Sequence, residues 1–327
     1  MCNGHTPRRG SLRVWHLPRL ADTGAGGYDA SVSERASREP RSPARKWLAR
    51  RRNRLTRLIS DPLGGGAPGA SGGGIDRPPP APACPPGWRT GPPDFVGVGV
   101  QRCGTTRWFD LIASHPQVTH SVAAKELHYF DRFYSGRPTQ AEIDGYQQYF
   151  PRPARQLAGE WTPLYLTAPW IPPLLAAAAP EARLLVLLRD PVERYLSGLQ
   201  LATRVAARRG VPLSRYAPLD TFVRGLYHAH LTGLLRHFPR SQILLLQYEQ
   251  CTRDPIGELR RTLEFIGLED IGFEPDTQAR PQEQSEKPRP DSATRAAYVE
   301  AYSDDVARLL GAFPEIDVSL WPNFAHM

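Results

Sequence analysis

The stretch Asp94-Phe-Val-Gly-Val-Gly-Val-Gln-Arg-Cys-Gly-Thr-Thr-Arg-Trp-Phe-Asp-Leu-Ile-Ala-Ser-His-Pro116 decides the fold. Phe95 to Val100 is a short valine-rich run, the profile of a strand buried on both faces. Gln101-Arg102-Cys103-Gly104 turns the chain, and from Thr105 onward Trp108, Leu111 and Ile112 recur at the i, i+3, i+4 spacing of one helical stripe. A strand, a glycine turn and a hydroxyl-rich helix start make an anion cradle. The N–H groups of the first helical turn point into the bend, the helix dipole favours negative charge there, and glycine admits a phosphate close to the backbone. Gly99 to Gly104 has the G-x-x-x-x-G spacing, but Thr105 stands where a Walker lysine would, and the cation sits inside the loop at Arg102. A strand that turns into a helix only as scaffolding is the plainer reading of this stretch alone.

Further along, Ala141–Phe150 reads as an amphipathic helix, and Gly159-Glu-Trp-Thr-Pro-Leu-Tyr165 as a loop leaving a short strand. Arg183–Leu188 is a second buried strand. Asp190 can cap the next helix with Pro191 at its first position, and that helix carries Arg194 and Ser197. Thr221–Phe238 reads as one helix burying Val223, Tyr227, His230, Leu231, Leu234 and Phe238, with His230 packing rather than reacting. Gln242–Leu246 is a third strand. Asp254-Pro255 repeats the cap-plus-proline start, with Ile256, Leu259, Leu263 and Ile266 as the buried stripe, and Ser292–Leu310 is the last helix. Strands alternating with helices predict an α/β fold: a P-loop-containing parallel β-sheet flanked by helices. Ligands of such sheets bind at the carboxyl ends of the strands, where Arg102 and Arg189 both fall.

The 327 residues suffice for one such domain with a good core plus extra segments. Residues 1–93 carry clusters such as Gly64-Gly65-Gly66 and Pro78-Pro79-Pro80, and read as a disordered leader with a short helix through Ala44–Ile59. The domain proper is expected over residues 94–327. The leader holds 16 Lys/Arg against 6 Asp/Glu, which leaves 25 against 27 for the remainder, so the net charge of +8 belongs to the leader. Arg50-Arg51-Arg52-Asn53-Arg54 reads as a solvated basic tail, and without a nucleic-acid fold signature no nucleic-acid partner is expected. Cys2, Cys84, Cys103 and Cys251 lack metal-ligand spacing, so reduced thiols and no structural metal are expected. The apolar neighbourhood Ile171–Leu188 is interrupted by prolines and charges and does not span a bilayer, and no signal peptide is evident. These features predict a cytoplasmic protein.

Arg189, directly after a buried strand, reads either as a salt-bridge partner of Asp190 or Glu193 or as a guanidinium fork for a second phosphate, with Ser197 adding a hydroxyl from two helical turns along. Two cradles imply a ligand with phosphates at both ends. At this point the chain resembles a family. Phe95–Pro116 resembles the 5′-phosphosulfate loop of the sulfotransferases that use 3′-phosphoadenosine 5′-phosphosulfate, and Leu184–Leu199 (LLVLLRDPVERYLSGL) looks like their 3′-phosphate segment. Lys125–Asp131 (KELHYFD), Gly159–Tyr165 (GEWTPLY) and Gly225–Leu231 (GLYHAHL), leading into Gln242–Pro255, are similar to the carbohydrate-type branch that includes the heparan sulfate enzymes. The resemblance covers about residues 94–322 and none of the leader.

The resemblance implies that Arg102, Cys103, Gly104, Thr105 and Thr106 hold the 5′-phosphosulfate and that Arg189 and Ser197 hold the 3′-phosphate. Tyr248 matches a residue near the adenine, with packing on the sheet as the other reading, and Ser285 with Lys287 corresponds loosely to a cofactor-closing loop. Glu126, beside Lys125 and His128, is the expected base for the acceptor hydroxyl, worth typically ~10²–10⁴-fold. Its plainer reading is a surface carboxylate paired with Lys125, and His128 is the alternative base.

Two departures stand out. The family's loop cation is most often lysine, and Arg102, whose guanidinium holds its proton far more firmly than an ammonium, is a poor proton donor to a leaving phosphate. Trp161 stands where the heparan sulfate enzymes tend to carry lysine, and its face suits stacking on a sugar ring or aglycone. The expected activity is sulfuryl transfer to a hydroxyl or amine of a carbohydrate or small molecule. The alternative is a P-loop kinase or other nucleotide-binding protein, which would need a loop lysine and a Mg²⁺-holding carboxylate.

Overall fold

A computed structural model describes residues 78, 80–119, 125–268, 272–273 and 289–327. The proposed leader helix over 44–59, the basic run at 50–54, and Ser285 and Lys287 lie outside these residues.

In chain order the elements are β1 (Phe95–Gly99), α1 (Thr105–Ala113), α2 (Gln140–Gln147), β2 (Gly159–Trp161), α3 (Ile171–Ala178), β3 (Arg183–Leu188), α4 (Pro191–Arg208), α5 (Ala217–Val223), α6 (Tyr227–Leu234), β4 (Ile243–Gln247), α7 (Tyr248–Arg253), α8 (Pro255–Phe265) and α9 (Ser292–Ala312). The strands form one parallel sheet in the order β2-β1-β3-β4. β1 and β4 are buried along their whole length, and β3 from Leu184 on, which is why their sequences run apolar without alternation. Chain direction along the sheet reverses between β1 and β3, so a crevice opens beyond the carboxyl ends of those two neighbours.

The caps sit where the sequence places them. Asp190 accepts hydrogen bonds from Val192 and Glu193 N–H at 2.9 and 3.1 Å, and Asp254 accepts from Gly257 N–H at 2.9 Å. The core holds Trp108, Trp161 and Trp321, all but fully buried, and Trp108 Nε1 donates across to Thr262 on α8.

Four details differ from expectation. The stretch 221–238 is two helices, broken at Arg224-Gly225-Leu226, where a side chain at Gly225 would meet the Tyr302 ring at 2.8–3.0 Å. Val223 and Ile256 face solvent rather than the core. Residues 171–178, read only as a broken apolar run, form α3 with its prolines in the first turn. The ordered body also reaches back before Asp94, since Arg89 forms an antiparallel bridge with Arg152.

Candidate active site

The loop between β1 and α1 brings its cation back over the crevice through left-handed backbone at Arg102 (φ 73) and Gly104 (φ 89). Glycine is required at 104 on two counts. The conformation disfavours a side chain, and an added Cβ would lie 2.9 Å from the Tyr248 ring. The other non-glycine residue with positive φ among the described residues is His128 (φ 51), in the second half of the site. Backbone in this region costs energy and persists where surrounding contacts dictate it, a pattern concentrated at functional sites.

Arg102 and Arg189 meet. Arg189 donates from Nη1 to the Arg102 carbonyl at 3.2 Å, and its guanidinium lies 4.6 Å over the Tyr248 ring. Arg102 Nε donates to Ser197 Oγ at 3.0 Å. The salt bridge weighed for Arg189 does not form. Asp190 is occupied by its cap and by Asn323, while Glu193 reaches Arg295 at 2.9 Å. Arg194, wholly buried, and Arg204 complete a group of guanidiniums. Among the described residues none of these four arginines has a carboxylate within ion-pair distance, and Nε of Arg189, Arg194 and Arg204 has no hydrogen-bond partner. Burial, then the positive charges of Arg204, Arg189 and Arg194, pull the Arg102 guanidinium below its ordinary pKa. Buried, crowded and unmatched cations are costly unless an anion completes them. The donors present fit a ligand carrying more than one phosphate. Cys103, within the same loop, is buried against the Tyr227 hydroxyl, and burial pushes its thiol up to about 12.

The second half is the segment 125–131. Lys125 Nζ donates to Thr105 Oγ1 at 3.4 Å, Thr106 Oγ1 at 3.2 Å and Glu126 Oε1 at 2.9 Å, tying the anion loop to the carboxylate. Glu126 Oε2 lies 3.4 Å from His128 Nε2, and His128 Nδ1 lies 2.7 Å from Asp131. Burial disfavours the charge of Glu126, but Lys125 and His128 outweigh it and hold the carboxyl down to about 2. Burial likewise opposes the charge of His128, yet its bonds to Asp131 and Glu126 push it up to about 10. At neutral pH the row is a carboxylate, an imidazolium and Asp131 in sequence.

What fixes this segment was not visible in the sequence. Its amides are held by side chains of residues 160–165. Leu127 N–H donates to Glu160 Oε2 at 3.1 Å and to Thr162 Oγ1 at 3.0 Å, His128 N–H to Thr162 Oγ1 at 3.4 Å, and Tyr129 N–H to the Tyr165 hydroxyl at 3.0 Å. Glu160 is buried and also accepts from Thr162 and from the Tyr146 hydroxyl. Burial raises its pKa, against the hydrogen bonds of Thr162, Tyr146 and Leu127. Asp131, three residues beyond His128, was an available signal, whereas Glu160 and Arg204 carried none that set them apart.

Trp161 corrects the sequence reading. Its side chain is fully buried, its Nε1 donates to the Gly99 carbonyl at 3.2 Å, and its ring covers Gly97, where a Cβ would lie 1.9 Å away. It is the floor beneath the strand end and offers no face for an acceptor. Tyr248 stands at the start of α7 between Gly104 and Arg189, so the structure brings it to the crevice. His230 Nε2 donates to the Val223 carbonyl at 2.9 Å, outside this group. Among the described residues no cluster of three or more His, Cys, Asp or Glu is placed to hold a metal, and no helix is long and apolar enough to cross a membrane.

Comparison with known proteins meets this geometry. The chain is 34% identical over 192 residues to heparan sulfate glucosamine 3-O-sulfotransferase 3B1 of Mus musculus, covering 55% of this chain and 47% of that protein. It is 32% identical over 191 residues to heparan sulfate glucosamine 3-O-sulfotransferase 6 of Homo sapiens, covering 55% and 53%. The chain thus spans about half the length of these curated relatives. The crystal structure of a sulfotransferase from Alicyclobacillus acidocaldarius shares the fold, with a TM-score of 0.55 at 23% identity, over 70% of this chain and 98% of that one. The family model described as the sulfotransferase domain matches residues 92–283, more than half of the chain, and the chain belongs to that family.

Proposed function

We propose that the protein transfers a sulfuryl group from 3′-phosphoadenosine 5′-phosphosulfate to a hydroxyl or amine of a carbohydrate or small-molecule acceptor. The observation that carries this reading is the meeting of Arg102 and Arg189 at neighbouring strand ends, amid guanidinium nitrogens without partners, with Lys125 linking their loop to Glu126. The loop from Arg102 to Thr106 acts as a P-loop without the Walker lysine and holds the 5′-phosphosulfate. Arg189 and Ser197 take the 3′-phosphate, and Tyr248 borders the adenine. Lys287 would close over the nucleotide from outside the described residues.

In the reaction the acceptor O–H gives its proton to the Glu126 carboxylate. The new O–S bond forms as the S–O bond to the 5′-phosphate breaks, and the electron pair leaves on the phosphate of adenosine 3′,5′-bisphosphate. The moving group is nearly planar and its oxygens carry the charge, so positioning and cations supply most of the rate. Arg102 and Lys125 face the developing charge. His128, held as a cation by Asp131, keeps Glu126 ionised and oriented, which makes it a positioning residue in this reading rather than the base.

The pairing of Arg89 with Arg152 and the family match from residue 92 support a catalytic unit that begins shortly before Asp94, with the preceding basic residues as a leader. The free thiols of Cys84, Cys103 and Cys251 fit a cytoplasmic setting.

Thermal shift tests the donor assignment: adenosine 3′,5′-bisphosphate should raise Tm clearly, while ATP·Mg and AMP should not. Equal stabilisation by ATP·Mg would remove the two-phosphate reading. Glu126→Gln should keep the bisphosphate shift and lower turnover of labelled donor by about 10²–10⁴-fold. An unchanged rate would move the base elsewhere.

A further inference from the structure

Ten large hydrophobic side chains are exposed among the described residues, and five of them fall between residues 211 and 223. Val211 and Leu213 sit in a wholly exposed connection after α4. Tyr216, Leu219 and Val223 follow at i, i+3, i+7 on the outer face of α5, and the five are 37–61% exposed. The inner face of α5 is spoken for: Thr221 packs so tightly on Gly198 of α4 that a Cβ there would lie 2.5 Å away.

The same stretch is basic. Residues 205–219 contain three arginines and no Asp or Glu. Of these, Arg208 and Arg215 flank the apolar side chains from the exposed surface. Asp220, the first acid after them, is neutralised by a two-pronged bond from Arg224 at 3.0 and 3.1 Å. Arg215 lies along the Tyr216 ring at 4.8 Å and donates to its hydroxyl, so its charge stands beside the apolar face rather than over it. The carboxyl end of α4 accounts for arginine at 208 through the helix dipole. It accounts for none of the apolar side chains.

We propose that the face formed by 208–223 docks on an anionic lipid bilayer, with the Val211–Leu213 turn and the Tyr216, Leu219 and Val223 stripe seated among the acyl chains and the arginines at the headgroups. Apolar side chains rimmed by cations make up the pattern of an interfacial helix, and exposed clusters of this kind mark interaction surfaces. A second copy of the chain is the poorer occupant, because a twofold contact would set one arginine rim against its duplicate. No described helix is long and apolar enough to cross a bilayer, and the contact proposed for this face is peripheral.

The basic residues 1–93 attract the same vesicles, so the test must read the face itself. Full-length protein is mixed with vesicles of phosphatidylcholine, with and without phosphatidylserine. Hydrogen exchange is followed peptide by peptide, and partitioning by sedimentation. Exchange over 207–223 should slow on the phosphatidylserine vesicles only. Leu213→Asp/Leu219→Asp and, separately, Arg208→Glu/Arg215→Glu should each reduce partitioning at least ~5-fold, with Tm unchanged. Unchanged exchange over 207–223 in the bound protein would overturn the proposal, as would wild-type partitioning of both double variants. Protection that grows with protein concentration and needs no lipid would assign the face to a second copy instead.

Discussion

Arg152 and Arg189 stand at opposite ends of one sheet and are treated in opposite ways. Arg152, at the amino end of β1, is nearly fully buried and is supplied with a carboxylate. Its Nε lies 2.8 Å from Asp94 Oδ2, and its terminal nitrogens donate to Asp94 Oδ1 and to the carbonyls of Phe150 and Pro92. Arg189, at the carboxyl end of β3, has a carbonyl and a ring face but no carboxylate, and with Arg194 and Arg204 it crowds positive charge around Arg102. A buried cation that serves the fold is supplied with its counter-charge by the chain. Arg189 is left short of one, and the difference sets apart the end of the sheet at which the proposed site lies.

The largest effect expected on this contrast is at the matched end. Arg152→Ala leaves Asp94 with the Ala158 N–H but no counter-charge and should cost about 3–5 kcal/mol, a drop of roughly 2–4 °C in Tm per kcal/mol, read by calorimetry. A variant of wild-type stability would erase the distinction. Arg189→Ala should do the reverse: Tm without ligand holds or rises, while affinity for adenosine 3′,5′-bisphosphate falls by about 1.5–3 kcal/mol, roughly ten- to a hundredfold, by calorimetric titration. Affinity for AMP should change far less, and equal losses would contradict a role at the 3′-phosphate.

The smallest effect concerns the row Glu126–His128–Asp131, whose charges are matched yet about a third exposed at Glu126 and His128. The pKa of His128 rises from 6.5 to about 10 on folding, so its contribution to stability is whole below pH 6.5 and disappears as pH climbs through 10. Glu126 falls from 4.5 to about 2, so its contribution is whole above pH 4.5 and disappears as pH drops through 2. The Tm difference between wild type and His128→Asn should therefore be flat from pH 4.5 to 6.5 and shrink toward pH 10. A difference that vanishes near pH 6.5 would show a histidine indifferent to its neighbours.

The sheet was legible because β1, β3 and β4 are buried on both faces and so are written as unbroken apolar runs. Asp190-Pro191 and Asp254-Pro255 announce their helices by local chemistry alone. The meeting of Arg102 and Arg189 at neighbouring strand ends was readable for the same reason, since each closely follows a buried run. What escaped depends on distant partners. Nothing near Gly225 says that Tyr302 fills its space, nothing near Trp161 says that Gly97 leaves room beneath it, and nothing near Glu160 says that a loop more than thirty residues earlier lacks acceptors for its amides.

Those amides have a consequence for how the protein can change. Leu127, His128 and Tyr129 borrow their acceptors from Glu160, Thr162 and Tyr165, so the two short pieces are one part made in two lengths of chain. Anyone transplanting Glu126 and its setting into another member of the family must carry both lengths together. Substitutions that shift the backbone around Glu126 are expected to arrive in pairs, one in each piece.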